Sequence, residues 1–202
     1  MANIITLLRF PLLFVYVGLL YTENPTIIFW CVPFIALIMM MDSFDGLIAR
    51  ARGEVSLLGS TLDIAVDRAF EIILWLVFAH LNLIPVVIPI IVITRGTLTD
   101  AIRSVGMRNG KAAFDQLNHP LSRFLVSSRF MRELYGISKG FAFGFLTLSL
   151  GLNKLNHPTE NIILITAQIF SWSAISLTIL RGLPVLIEGY GLFKNPPPLN
   201  KQ

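Results

Sequence analysis

The chain has 202 residues, enough for one domain or two small ones. Hydrophobic residues make up 54% and charged residues only 14%, against a usual charged share of about 25%; with a mean hydropathy of +0.72, this excludes a disordered chain, a disulfide scaffold and a coiled coil, and points to an integral membrane protein. Sixteen Lys and Arg against 12 Asp and Glu give a net charge of +4, an excess that suits cytoplasmic loops on an anionic membrane surface rather than nucleic-acid binding.

In chain order, apolar runs alternate with short polar breaks. The first covers 10–21. It follows the basic Arg9, as a signal peptide would, but bulky and polar residues, Tyr21-Thr22-Glu23-Asn24, stand where a small-residue cleavage site should be, so it reads as a retained helix. The second covers 26–41 and contains the single cysteine, Cys31, which reads as packing. The third covers 64–83, with Asp67, Arg68 and Glu71 near its start, the fourth 84–94, the fifth 134–152 and the last 161–187. Several of these are short of the ~20 residues that span a bilayer. The second reaches that length by continuing past Asp42 towards Arg50, and the fourth by continuing past Arg95 towards Arg103. The reading is an all-α membrane protein with six transmembrane helices, three of them half apolar and half charged. Charges at membrane depth mark a functional interior.

The breaks set the orientation. The turns near residues 21–25, 80–85 and 154–160 hold one base between them, Lys154, whereas Arg50, Arg52, Arg103, Arg108, Lys111, Arg123, Arg129, Arg132, Lys194 and Lys201 fall on the other side. By the positive-inside rule both termini and the charged helix halves are cytoplasmic. The chain reads as one membrane domain over 1–202. Its long basic connection, 105–133, interleaves Phe114, Phe124, Phe130 and Met131 with cations and is expected to lie partly in the interface as an amphipathic helix. The Pro-rich end, 190–202, reads as a mobile tail. Pro33, Pro85 and Pro89 read as helix kinks. His80, His119 and His157 have no spacing partner for a metal and read as turn or interface residues.

The informative stretch runs from Asp42 to Asp67. Asp42 and Asp45 are three apart, and Asp63 and Asp67 four apart, so each pair shares a helix face. A short loop, 51–58, joins two antiparallel helices and can bring both pairs together. Four close carboxylates repel strongly unless cations neutralise them. Oxygen ligands without His or Cys favour a hard ion, Mg²⁺ or Mn²⁺, and there is room for two ions. Such a site suits phosphoryl transfer. Gly46, Ala49 and Gly59 remove bulk beside the carboxylates, and Arg50 can hold a phosphate or a base edge.

This stretch resembles the defining motif of the CDP-alcohol phosphatidyltransferases, D-x2-D-G-x2-A-R-x8-G-x3-D-x3-D, at all eight fixed positions: Asp42, Asp45, Gly46, Ala49, Arg50, Gly59, Asp63 and Asp67. The resemblance implies a homodimeric membrane enzyme that transfers a phosphatidyl group from CDP-diacylglycerol to an alcohol and releases CMP. It implies that Asp42, Asp45 and Asp63 hold the divalent ions, that Asp67 contacts metal and takes the proton of the acceptor hydroxyl, and that Gly46, Ala49, Arg50 and Gly59 bind the cytidine diphosphate.

The acceptor is read from cations elsewhere. Arg95, Arg103 and Lys139 sit in or beside apolar runs, where they can bind a second phosphate. The opening Asn3-Ile-Ile-Thr6-Leu-Leu-Arg9, the two arginines eight apart and Gly136-x-x-Lys139 resemble bacterial phosphatidylglycerophosphate synthases, which implies a small water-soluble phosphorylated acceptor, sn-glycerol 3-phosphate. Two features depart from those synthases: Gly96 follows Arg95 where they usually have Glu, and the connection from Arg103 to Gly136 is longer. Inositol phosphate is the alternative acceptor. A divalent-cation transporter with an acidic intramembrane site is the alternative of a different class.

Overall fold

A computed structural model describes the backbone of residues 2–52, 57–108 and 120–194, and the side chains of 7–41, 64–102 and 122–188. Every element in these stretches is an α-helix: α1 (Ala2–Leu20), α2 (Pro25–Arg52), α3 (Leu57–His80), α4 (Val87–Arg108), α5 (Pro120–Ser127), α6 (Arg129–Lys154) and α7 (Glu160–Lys194). The charged halves expected of the second and fourth segments are helical: α2 continues through Asp42 to Arg52 and α4 through Arg95 to Arg108.

Local chemistry explains the boundaries. Asn24 Oδ1 accepts the Thr26 amide at 3.0 Å, so Asn24 caps α2, and Pro25 takes the first helical position, where no amide proton is needed. Ser128 Oγ accepts the Met131 amide at 3.1 Å and caps α6. α3 and α6 end alike. Asn82 (φ 58°) and Asn156 (φ 50°) adopt the left-handed conformation. The amides of Leu83 and His157 then bond back to the Phe78 and Leu152 carbonyls, both at 3.1 Å, closing two Schellman turns.

Within the connection read over 105–133, α4 runs on to Arg108, α5 forms at Pro120, and the Ser128 cap starts α6 at Arg129. Polar residues do not by themselves stop a helix. For the same reason α7 carries through 190–194 into the region read as a tail. Residues 53–56, 109–119 and 195–202, with the remainder of that tail, lie outside the described residues. Pro85 precedes α4 and Pro89 falls in its first turn, so neither interrupts a helix interior; Pro11, Pro33 and Pro184 do lie inside helices.

The chain divides into two compact units, Met1–Pro89 with Lys139–Ser171, and Ile90–Ser138 with Trp172–Gln202. In the first, α1 packs on α2 and α3. Leu13, Tyr16 and Leu20 of α1, Ile28, Cys31, Ile35 and Ile38 of α2, and Phe70, Leu74 and Phe78 of α3 recur every three or four residues and are buried. Phe143 of α6 meets Trp75 edge-on at 4.7 Å and stacks on Phe78 at 5.8 Å. Tyr16 and Thr147 hydroxyls lie 2.6 Å apart, and Thr147 donates to the Phe143 carbonyl at 2.7 Å, so Tyr16 is the donor of the pair. Tyr21 packs near His80, and Lys154 pairs with Glu23 at 2.6 Å. These contacts place the three base-poor turns at one end of this unit.

In the second unit Val126 of α5, Val185 of α7 and Ile102 of α4 pack together. Arg181 lies over the Tyr135 ring at 5.6 Å.

Large apolar side chains lie on the outside as well as in the core, and a few small hydroxyls are buried. Phe14, Trp30, Ile90, Ile162, Ile169 and Ile187 are exposed, whereas Thr99, Thr147, Ser149, Ser171 and Thr178 are buried. In lipid this costs nothing at the outer surface and allows close helix approach inside. Among the described residues one helical segment, Glu160–Glu188, is by itself long and apolar enough to cross a membrane; Leu7–Leu20 and Pro25–Met41 are shorter apolar helices.

Candidate active site

All eight motif positions lie on the helical stretches of α2 and α3. The side chains of seven, Asp42, Asp45, Gly46, Ala49 and Arg50 on α2 and Gly59 and Asp63 on α3, lie outside the described residues, as does that of Arg103 on α4. The eighth, Asp67, is described. Helix periodicity puts the carboxylates of each pair one turn apart, and α1 is a common neighbour of both helices.

Asp67 lies at the point where the apolar seam of the first unit becomes charged. Arg9 Nη2 is 3.0 Å from Asp67 Oδ1; Arg9 is 3% exposed and the Asp67 side chain 44%. The guanidinium also lies over the Phe70 ring at 5.5 Å. One turn further along α3, Glu71 pairs with Lys139 of α6, Nζ to Oε2 at 3.5 Å, with Glu71 buried. Arg9 continues the buried α1 stripe of Leu13, Tyr16 and Leu20. Asp67 and Glu71 continue that of Leu74 and Phe78 on α3. The seam is therefore apolar towards the turn end and ionic towards the other. Desolvating charges is expensive without a partner, and each cation here has one.

Sequence reading singled out Asp67 and Lys139 but missed that Arg9 stands against Asp67 and that Glu71 pairs with Lys139. The signal was present: Arg9 stands four residues before Leu13, at the spacing of the buried face.

Of the cations expected at an acceptor phosphate, Lys139 belongs to the first unit and is engaged by Glu71. Arg95 and Arg103 belong to the second. Arg95 runs across Gly182 of α7: a Cβ there would lie 2.8 Å from both Cγ and Nε of Arg95. Thr99 turns its hydroxyl back onto the Arg95 and Gly96 carbonyls at 2.9 and 3.0 Å.

Among the described residues no three His, Cys, Asp or Glu side chains converge as metal ligands, and three of the four motif carboxylates fall outside that set. The chemistry of the donor set still suits a hard cation: four carboxylates, no imidazole and no thiolate.

A family model for the CDP-alcohol phosphatidyltransferases matches residues 1–180, and the chain belongs to that family. It is accordingly a transferase of substituted phosphate groups, acting in phospholipid biosynthesis by phosphatidyl transfer, in a family of membrane proteins that use a CDP-alcohol and an alcohol acceptor. A comparison with curated proteins finds no match.

Proposed function

We propose that this chain transfers the phosphatidyl group of CDP-diacylglycerol to sn-glycerol 3-phosphate. The observation that carries the reading is the family match over 1–180 together with an unbroken motif on α2 and α3. Asp42, Asp45, Asp63 and Asp67 would hold the divalent ions, Mg²⁺ or Mn²⁺, which would neutralise charge on the phosphate. Gly46, Ala49 and Gly59 admit the cytidine diphosphate, and Arg50 bonds it. Asp67 accepts the proton of the acceptor hydroxyl as its oxygen bonds to the phosphatidyl phosphorus. The bond from that phosphorus to the bridging oxygen breaks, and the oxygen leaves with CMP. Arg95, Arg103 and Lys139 each contribute to binding the anionic acceptor.

The six long helices are proposed to span the membrane six times, with both termini and the carboxylates on the cytoplasmic side. The lipid substrate enters laterally between helices, and the enzyme works as a homodimer. The apolar outward faces support the spans. The clustering of the base-poor turns in the first unit supports the sidedness.

The test is CMP release from CDP-diacylglycerol by detergent-purified protein with Mg²⁺ or Mn²⁺. Glycerol 3-phosphate, inositol 1-phosphate, serine and glycerol are supplied separately, with Asp67→Asn as control. Release that needs metal and glycerol 3-phosphate, and is lost in the variant, is expected. Release driven by inositol phosphate alone would replace the acceptor. No release with any acceptor, alongside metal uptake into liposomes, would turn the reading towards transport.

A further inference from the structure

We propose that Arg9 is a positioning residue for the phosphatidyl transfer: through its contact with Asp67 Oδ1 it helps to hold in one orientation the carboxylate that serves the metal and the acceptor hydroxyl. The inference rests on the transferase reading and on the place of Asp67 in it.

An arginine on a helix as apolar as α1 is costly at membrane depth. This one is nevertheless buried on the packing seam and faces α3. Its guanidinium contacts include the 3.0 Å ion pair with Asp67 and the 5.5 Å approach to the Phe70 ring, three residues further along the same helix. With the arginine itself buried, these contacts seat the guanidinium against α3. Asp67 is by contrast 44% exposed. A half-exposed carboxylate without such a partner samples several rotamers, only some of which suit proton transfer. A rigid buried cation on one oxygen selects among them, and misplacement by ~1 Å costs a transferase up to about 10²-fold in rate.

A second consequence follows from charge. A cation 3.0 Å from Oδ1 opposes a dication on the same carboxylate. Removing Arg9 should leave divalent-ion binding as tight or tighter while slowing the reaction. A helix-packing role alone would lower both together. The substitution itself is tolerable: Arg9→Met keeps the length of the stem against Phe70, and the carboxylate left behind is half-exposed rather than buried.

The experiment uses full-length protein in detergent and compares wild type, Arg9→Met, Arg9→Lys and Asp67→Asn. It measures kcat and KM for CDP-diacylglycerol, and in parallel Mn²⁺ affinity in the absence of substrate. Arg9→Met is expected to lower kcat by roughly tenfold or more with KM within about twofold. Its Mn²⁺ affinity should not fall, Arg9→Lys should recover part of kcat, and Asp67→Asn should weaken Mn²⁺. An unchanged kcat in Arg9→Met overturns the inference, and so does a parallel loss of Mn²⁺ binding. If Arg9→Met does not purify folded, Arg9→Gln is held to the same criteria. Wild type that releases no CMP would sink the transferase reading first. Wild type that is active beside an unaffected Arg9→Met would sink only this inference.

Discussion

Replacing Gly182 by alanine tests whether the seat of Arg95 matters to the acceptor. The new Cβ would stand 2.8 Å from Arg95 Cγ and Nε and 3.3 Å from Cδ. Carbon contacts settle at about 3.5–4.0 Å, so the shortfall is ~0.7 Å or more at two atoms. The atoms met lie along the middle of the arginine stem rather than at its tip, so a swing of the guanidinium alone does not relieve the clash. Either the stem changes rotamer, at about 0.5–1.5 kcal/mol if it is held off a minimum, or α7 backs away from α4, an overpacking cost of about 1–3 kcal/mol. In both cases the guanidinium moves by an amount comparable with a hydrogen-bond tolerance. The expected result is a KM for glycerol 3-phosphate raised roughly tenfold, with the KM for CDP-diacylglycerol little changed. A thermal midpoint in detergent lower than wild type should accompany it. Gly144→Ala is the control, because no atom lies within 4 Å of its added Cβ; it should leave both constants alone. A folded Gly182→Ala enzyme with the wild-type acceptor KM would refute the role given to Arg95.

Other expectations concern stability and are read from thermal or denaturant midpoints in detergent. Tyr16→Phe should cost about 0.5–1.5 kcal/mol, since Thr147 keeps its bond to Phe143, while Thr147→Val should cost more, about 1–3 kcal/mol, because it strands the buried Tyr16 hydroxyl. A larger loss for Tyr16→Phe would mean that the donor assignment is reversed. Glu23→Gln should change stability by no more than about 1 kcal/mol despite the short contact to Lys154, because Glu23 is almost fully exposed. A loss of several kcal/mol would show that the pair is shielded from water. At Asn156, in the left-handed conformation, glycine should be tolerated and valine should cost about 1–2 kcal/mol; equal stability of the two would argue that the Schellman turn does not form.

Much of the fold was legible because the hydrophobic runs and the helical period coincide. α2, α6 and α7 contain the runs read from sequence, α1 and α3 contain all but the last one to three residues of theirs, and the charged extensions of α2 and α4 are helical as spacing required. The carboxylate motif was legible for a different reason: it consists of fixed residue types at fixed intervals along α2 and α3, which the sequence displays directly. Boundaries were harder. Asn82, Asn156 and Ser128 end or begin helices through backbone geometry and single hydrogen bonds, which leave little trace in composition. Pro85 and Pro89 look like kinks in a string of letters and turn out to flank a helix start.

The sequence by itself determined the class of the protein, the all-helical architecture and the identity of the motif, because each rests on local spacing. Only the tertiary structure decided which charges meet. Arg9 finds Asp67 across 58 positions of chain (67 − 9) and Lys139 finds Glu71 across 68, pairings that no periodicity encodes. They form because a charge carried into an apolar interior is stable only beside its opposite. Which opposite stands within reach depends on the register in which α1 and α6 dock against α3, a register in which Phe143 packs on Trp75 and Phe78 and Tyr16 bonds Thr147.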